Sequence, residues 1–358
     1  MRYLSGLDKK QFKGEVVLVR VDFNVEDIHD ALRLEASLPT IKFLRERCAR
    51  VVLLSHRGRP KRREPKESLK FLIPYLQRRL AEHVDFLTDI PDCLPMGNVF
   101  LIENLRFWSG EAANDKNFAR RLANLGEHYV NDAFAVDHRA NASITQLPKL
   151  LPSYSGLLLE KEIKTLGEVM KRPKQPLVLI LGGAKVSDKL GMIKYFLPKT
   201  RTILLGGETA NTFLAAKKTD IGRSEIEKHM LPEAHKLLKE SEIITPTDWV
   251  MDKKKILDIG PKTIERFKKE IAGAATIIWN GPLGRFENPK FREGSRAIAR
   301  AIASSKAFSV VGGGETTELI LQLGLEKKFS FLSTGGGAML EFLSGKKLPG
   351  VEALENRS

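Results

Sequence analysis

Short apolar, β-branched runs recur along the whole chain, each followed by Gly-, Asp- or Asn-rich residues and then a helical pattern. No other feature narrows the possible folds so far. In the first half the runs are Val16–Val21, Val51–Leu54, Val84–Leu87, Val99–Ile102 and His128–Asn131. In the second they are Leu177–Leu181, Thr202–Leu205, Glu242–Thr245, Thr276–Trp279, Phe308–Val311 and Phe329–Leu332. A strand with one wet face alternates apolar and polar residues, whereas an unbroken apolar strand is buried on both faces. Strands of that kind spaced by helices predict an α/β fold of doubly wound parallel sheets covered on both sides. No short period repeats, which excludes a solenoid.

With 358 residues the chain exceeds one ordinary core and suits two of about 150–180 residues each. Between the halves, Leu157, Leu158, Leu159, Ile163, Leu166, Val169 and Met170 give Ser153–Lys171 the apolar stripe of a helix, which Arg172-Pro173 stops. This segment is expected to be a rigid connector between an amino-terminal domain, 1–152, and a carboxy-terminal one, 173–344, with 153–172 as the interdomain helix. No apolar run approaches the 18 or so residues a membrane helix needs. Met1–Gly14 has no signal-like apolar core, and Cys48 and Cys93 have no C-x-x-C spacing, so a cytoplasmic protein is expected. The surplus of 59 Lys and Arg over 44 Asp and Glu, net +15, favours anionic partners: nucleic acid, membrane surface or phosphorylated metabolites.

In open parallel sheets ligands bind beyond the carboxyl ends of the strands. After the first-half strands come Asp22-Phe23-Asn24, His56-Arg57-Gly58-Arg59, Arg106, and His138-Arg139. Planar guanidinium forks suit phosphate and carboxylate oxygens, and several that converge can hold a small, multiply charged ligand. Asp22 and Asn24 can accept hydrogen bonds from its hydroxyl. The basic loop His56–Glu67 lacks the interleaved aromatics of a nucleic-acid surface, so Lys61, Arg62 and Arg63 read as solvated.

The second-half strands end instead in Gly182-Gly183, Gly206-Gly207, Asn280-Gly281-Pro282, Gly312-Gly313-Gly314 and Gly335-Gly336-Gly337. Glycine lets backbone approach phosphates, and a helix starting there aims N–H groups at them. Lys185 and Lys189 follow the first turn and would neutralise phosphate charge. This half reads as a nucleotide site, although it has no G-x-x-x-x-G-K-[ST] and no G-x-G-x-x-G. Nothing suggests a zinc centre, a protein-kinase catalytic loop or a hydrolase elbow.

In this order the motifs resemble those of the phosphoglycerate kinase family. The matching stretches are Val19–Val25 (VRVDFNV), Arg33 with Pro39–Leu44, Ser55–Pro60 (SHRGRP), Glu103–Phe107 (ENLRF), Tyr129–Phe134 (YVNDAF) and His138-Arg139. Further along are Ile180–Lys189 (ILGGAKVSDK), Asp258–Thr263 (DIGPKT), Trp279–Glu287 (WNGPLGRFE), Val310–Gly314 with Thr316, and Ser333–Ala338 (STGGGA). The resemblance implies reversible, Mg²⁺-dependent phosphoryl transfer between ATP and the carboxylate of 3-phosphoglycerate, giving 1,3-bisphosphoglycerate and ADP.

It further implies that Asp22, Phe23, Asn24, Arg33, His56, Gly58, Arg59, Arg106 and Arg139 bind 3-phosphoglycerate. Gly182, Gly183, Lys185, Lys189, Gly206, Gly207, Asn280, Gly281, Pro282, Glu287, Gly312, Gly313, Gly314, Glu315 and Thr316 bind the nucleotide. Arg33 and Lys185 stabilise the transferring group, Glu315 lies near the metal, and the chain end, about 345–358, returns to the first domain. The active site is expected in the interdomain cleft of a monomer with no membrane or specific nucleic-acid partner. Glu315 stands where the family has aspartate, Glu208 replaces a third glycine, Arg285 replaces an apolar residue, and the loop from Asn24 to Arg33 is short. Two rivals are a degenerate member that binds nucleotide or nucleic acid without catalysis, and a kinase for another small phosphorylated acid.

Overall fold

The computed structural model describes residues 1–8, 10–28, 31–240 and 242–355. The chain divides into two compact units, Met1–Lys164 with Lys347–Ser358, and Thr165–Lys346.

The first unit is built on β1 (Val16–Val21), β2 (Arg50–Leu54), β3 (Asp85–Leu87), β4 (Val99–Ile102), β5 (His128–Asp132) and β6 (Ser153–Ser155). They form one parallel sheet in the order β3-β4-β2-β1-β5-β6. β1 lies at its centre, paired through Val17 with Val51 on one side and His128 on the other. Its six residues are all buried, which is why it reads as an unbroken apolar run. The exception is Arg20, only 1% exposed, whose charge is carried inside the sheet.

The second unit repeats the plan with β7 (Leu177–Leu181), β8 (Thr202–Leu205), β9 (Ile243–Ile244), β12 (Thr276–Asn280), β13 (Phe308–Gly312) and β14 (Phe331–Leu332). The order is β14-β13-β12-β7-β8-β9, again all parallel. The chain starts at the centre, runs outward through β8 and β9, and returns beside β7 as β12. The winding reverses between β7 and β12, the kind of switch point at whose strand ends parallel α/β sheets bind ligands. In the first sheet the same reversal falls between β1 and β5.

Three features differ from the sequence reading. Ser153–Ser155 is a strand, so the connecting helix begins at Leu157, not Ser153, and runs to Lys171. Its first turn is capped by the Asp132 carboxylate, which accepts from the N–H groups of Leu158 (2.9 Å) and Leu159 (3.2 Å). Secondly, β10 (Trp249–Asp252) and β11 (Lys255–Ile259) form an antiparallel hairpin that no apolar run announced. Thirdly, the run Glu242–Thr245 is reduced to a two-residue strand and Phe329–Leu332 to Phe331–Leu332.

Near the chain end, the helix Pro349–Glu355 lies within the first unit, where the Gly350 N–H donates to the Asp137 carbonyl at 2.9 Å. Leu348, Val351 and Leu354 are buried there. Of the stretch expected to return, 356–358 lie outside the described residues.

Candidate active site

In the first unit the loops after β1, β2, β4 and β5 meet beyond the sheet's carboxyl edge. β1 delivers Asp22-Phe23-Asn24. Asp22 and His56 are buried, and Phe23 is fully buried in the apolar core with its N–H given to Ser55 Oγ at 2.9 Å. Phe23 thus anchors the loop in the core. Asn24 Oδ1 accepts the Gly58 N–H at 2.8 Å, and the Gly58 carbonyl accepts an Arg106 N–H. Gly58 can turn there because its φ of +57° suits glycine. Arg33, from the helix Ala31–Arg45, donates to the Asn24 carbonyl at 2.8 Å and lies 3.6 Å from Asp22. Within the short loop before it, His29 and Asp30 lie outside the described residues.

The electrostatics of this cluster are unbalanced. Burial comes first in holding His56 well below the usual histidine range, followed by the charges of Arg20, Arg106, Arg139 and Arg33. Burial also lowers Arg106 to about 10, with Arg139 and Arg20 adding to it; Glu111 and Asp22 oppose. Arg139 is lowered by burial and then by Arg59. Partly buried cations that also depress one another suit an anionic ligand.

Sequence reasoning passed over the support beneath. Arg20 donates from Nε to Ser143 Oγ at 2.9 Å and from Nη2 to His56 Nδ1 at 3.1 Å, with Glu111 4.0 Å away. A guanidinium can only donate, so His56 Nδ1 is the acceptor and Nε2–H remains as the ring's donor. The signal was present in the sequence as an arginine inside the apolar run VVLVRV.

In the second unit the glycine turns close around the switch between β7 and β12. The Gly183 N–H donates to the Pro282 carbonyl at 2.8 Å, and a Cβ on Gly182 would stand 2.0 Å from that same oxygen. Gly281, at φ +88°, receives the Thr316 hydroxyl as acceptor for its N–H at 3.0 Å. Asn280 Nδ2 donates to the Gly312 carbonyl at 3.0 Å. Asn280 and Thr316 therefore fix the glycine turns against one another. Gly206, Gly313 and Gly335 each cap the amino end of a helix, Gly207–Ala216, Gly314–Gln322 and Gly336–Leu343.

A cavity of about 290 Å³ opens beside these turns, lined by Gly183, Gly207, Pro282, Leu283, Glu287 and Glu315 among others. Lys189 is buried, which lowers its pKa against the pull of Asp188 and Glu315; Lys185 is exposed on the same loop. Burial and then Glu287 push the Glu315 carboxyl up, and Lys189 pulls it back. Among the described residues no three His, Cys, Asp or Glu side chains gather as a metal site. One carboxylate, Glu315, beside the glycine turns is compatible with a Mg²⁺ held mainly by the phosphates of a nucleotide, an ion that commonly uses one or two protein carboxylates.

A family model described as phosphoglycerate kinase matches residues 7–346. Curated relatives bearing that name include that of Dictyoglomus turgidum, 43% identical over 99% of both chains. Another, from a strain of Thermus thermophilus, is 43% identical over 99% of this chain and all of its own. The first alignment spans 391 positions, more than this chain has, so that relative carries residues with no counterpart here. Among solved structures, the phosphoglycerate kinase of Coxiella burnetii is 35% identical with a TM-score of 0.86. That of Pyrococcus horikoshii is 32% identical with a TM-score of 0.89; each match covers 99% of this chain and 98% of the other.

Proposed function

Because the chain belongs to the phosphoglycerate kinase family, we propose that its first unit holds 3-phosphoglycerate and its second ATP or ADP. The activity is phosphoryl transfer between ATP and the carboxyl group of 3-phosphoglycerate. The relatives carry the name of the kinase, and nothing in them favours a non-catalytic binder.

The observation that carries the assignment of the acceptor site is the cluster of cations around buried, neutral His56. Arg59, Arg106 and Arg139 would take the phosphate of 3-phosphoglycerate, and Asp22 and Asn24 would orient its hydroxyl. The acceptor carboxylate is already ionised at neutral pH, so it attacks without a general base. A carboxylate oxygen bonds to the γ-phosphorus while the bond to the bridging β–γ oxygen breaks, and that electron pair leaves with ADP. What the chain supplies is position and charge. Arg33 and Lys185 would neutralise the transferring group, Lys189 the nucleotide phosphates, and the glycine turns their oxygens through N–H groups. Mg²⁺ would share that phosphate charge, with Glu315 as the chain's ligand or its water-mediated neighbour. The enzyme would work as a cytoplasmic monomer; among the described residues no helix is long and apolar enough to cross a membrane.

Kinetics of Lys185→Ala and Arg33→Ala test these roles. Each is expected to lower kcat about 10²–10³-fold, the scale of one lost electrostatic donor. Near-normal kcat in either variant would remove that residue from the mechanism.

A further inference from the structure

Asn211 lies on the helix Gly207–Ala216, is 1% exposed and lines the second unit's cavity. Its Oδ1 is buried and has no hydrogen-bond partner among the described residues. An acceptor taken from water and left unmade is costly, so it points to a donor that arrives with a ligand. Glu208 stands three residues earlier, hence on the same face of the helix, and lines the same cavity. Partial burial raises its carboxyl, with Glu225 and Glu315 adding to this, while Lys255 and Arg285 draw it toward the charged form. The Lys255 ammonium is itself engaged by Glu225 at 2.9 Å. Pro246, Leu257 and Leu283 supply apolar wall.

An apolar wall with two acceptors on one helix face suits a flat ring carrying an amino group on its edge. Resting on the reading that this cavity takes the nucleotide, we propose that Asn211 and Glu208 are specificity-determining residues that select a 6-aminopurine. One N–H of the exocyclic amino group donates to Asn211 Oδ1 and the other to the Glu208 carboxylate. A 6-oxopurine turns carbonyl lone pairs toward both acceptors and is disfavoured.

Calorimetric binding of ADP and IDP to the full chain tests this, because the two bases differ at the 6-position and no turnover is involved. ADP is expected to bind about tenfold or more tightly, the worth of one to two net hydrogen bonds. Asn211→Leu keeps the approximate volume without the acceptor and should bring the ratio toward one, chiefly by weakening ADP. Asn211→Asp keeps an acceptor and should preserve the preference. Glu208→Ala, at an exposed position, gives an independent arm and should lower the ratio several-fold without weakening IDP. Equal binding of both nucleotides to the unaltered chain, tighter IDP, or a ratio that neither Asn211→Leu nor Glu208→Ala changes would overturn the proposal. Binding of neither nucleotide would overturn the reading of the cavity itself.

Discussion

His56 shows how a single residue would set the chemistry of the proposed acceptor site. Burial and four arginine charges hold its pKa well below the usual range, so the ring stays neutral at physiological pH and offers Nε2–H as a donor. In the free protein its NMR signal should keep the neutral form from pH 8 down to pH 6; a transition near 6.5 would contradict this arrangement. Arg106 is the charged counterpart of this neutral ring. Arg106→Ala should raise KM for 3-phosphoglycerate about 10–100-fold, the cost of one charge-assisted contact, and leave KM for ATP nearly unchanged. Equal effects on both substrates would mean that Arg106 does not belong to the acceptor site. Arginines at strand ends were visible in the sequence as repeated strand–loop punctuation. Arg20 was not weighed there, since its partners Ser143 and Glu111 lie far along the chain and only the fold brings them together.

Elements were legible where burial imposes a pattern and obscure where a local contact decides. β1 and β7 stand out because both faces of each are covered. β6 does not, since Ser153-Tyr154-Ser155 has no apolar run and forms only by pairing beside β5. The β10–β11 hairpin escaped because its turn uses Lys253 and Lys254, at φ +47° and +65°, in place of the Asn-Gly or Asp-Gly that signals such a turn. The connecting helix was recognised, but its cap, Asp132, comes from a strand twenty-odd residues earlier. Asp137, on the turn after β5, is a buried carboxyl raised by burial to about 7, with Asn131 and Arg20 opposing. Its folded value lies above the unfolded one of about 4, so the folded chain holds more protons across that window. Its contribution to stability is therefore greatest at low pH and falls as pH rises from about 4 to about 7. Asp137→Asn removes the titration while keeping an acceptor for Asn131. Denaturant melts should show the variant gaining on the parent by a few kcal/mol over that range and levelling above it. A constant difference between pH 4 and 8 would mean that Asp137 does not titrate there.

For the molecule as a whole, the net charge of +15 and the cation-rich proposed acceptor site would make long-range attraction part of substrate capture. KM for 3-phosphoglycerate should rise several-fold between 20 and 200 mM salt, with kcat less affected, as screening shortens the reach of the field. A salt-independent KM would show that the surface charge plays no part in capture. The carboxy-terminal helix contributes buried Leu348, Val351 and Leu354 to the first unit. Ending the chain after Lys346 should lower that unit's melting temperature by many degrees, since each lost apolar side chain is worth about 2–3 kcal/mol. ADP binding to the second unit should survive; loss of both together would show that the units do not fold separately. In the proposed function one chain binds both substrates and the phosphoryl group passes directly from one to the other. Phosphorus NMR with ATP, Mg²⁺ and 3-phosphoglycerate, with hydroxylamine trapping the acyl phosphate, tests it most directly. The account predicts ATP loss that needs both substrates and Mg²⁺, yields trapped acyl phosphate one for one with ADP, and is cut at least a hundredfold in Lys185→Ala. Shifted ligand signals without turnover, or turnover undiminished in that variant, would contradict it.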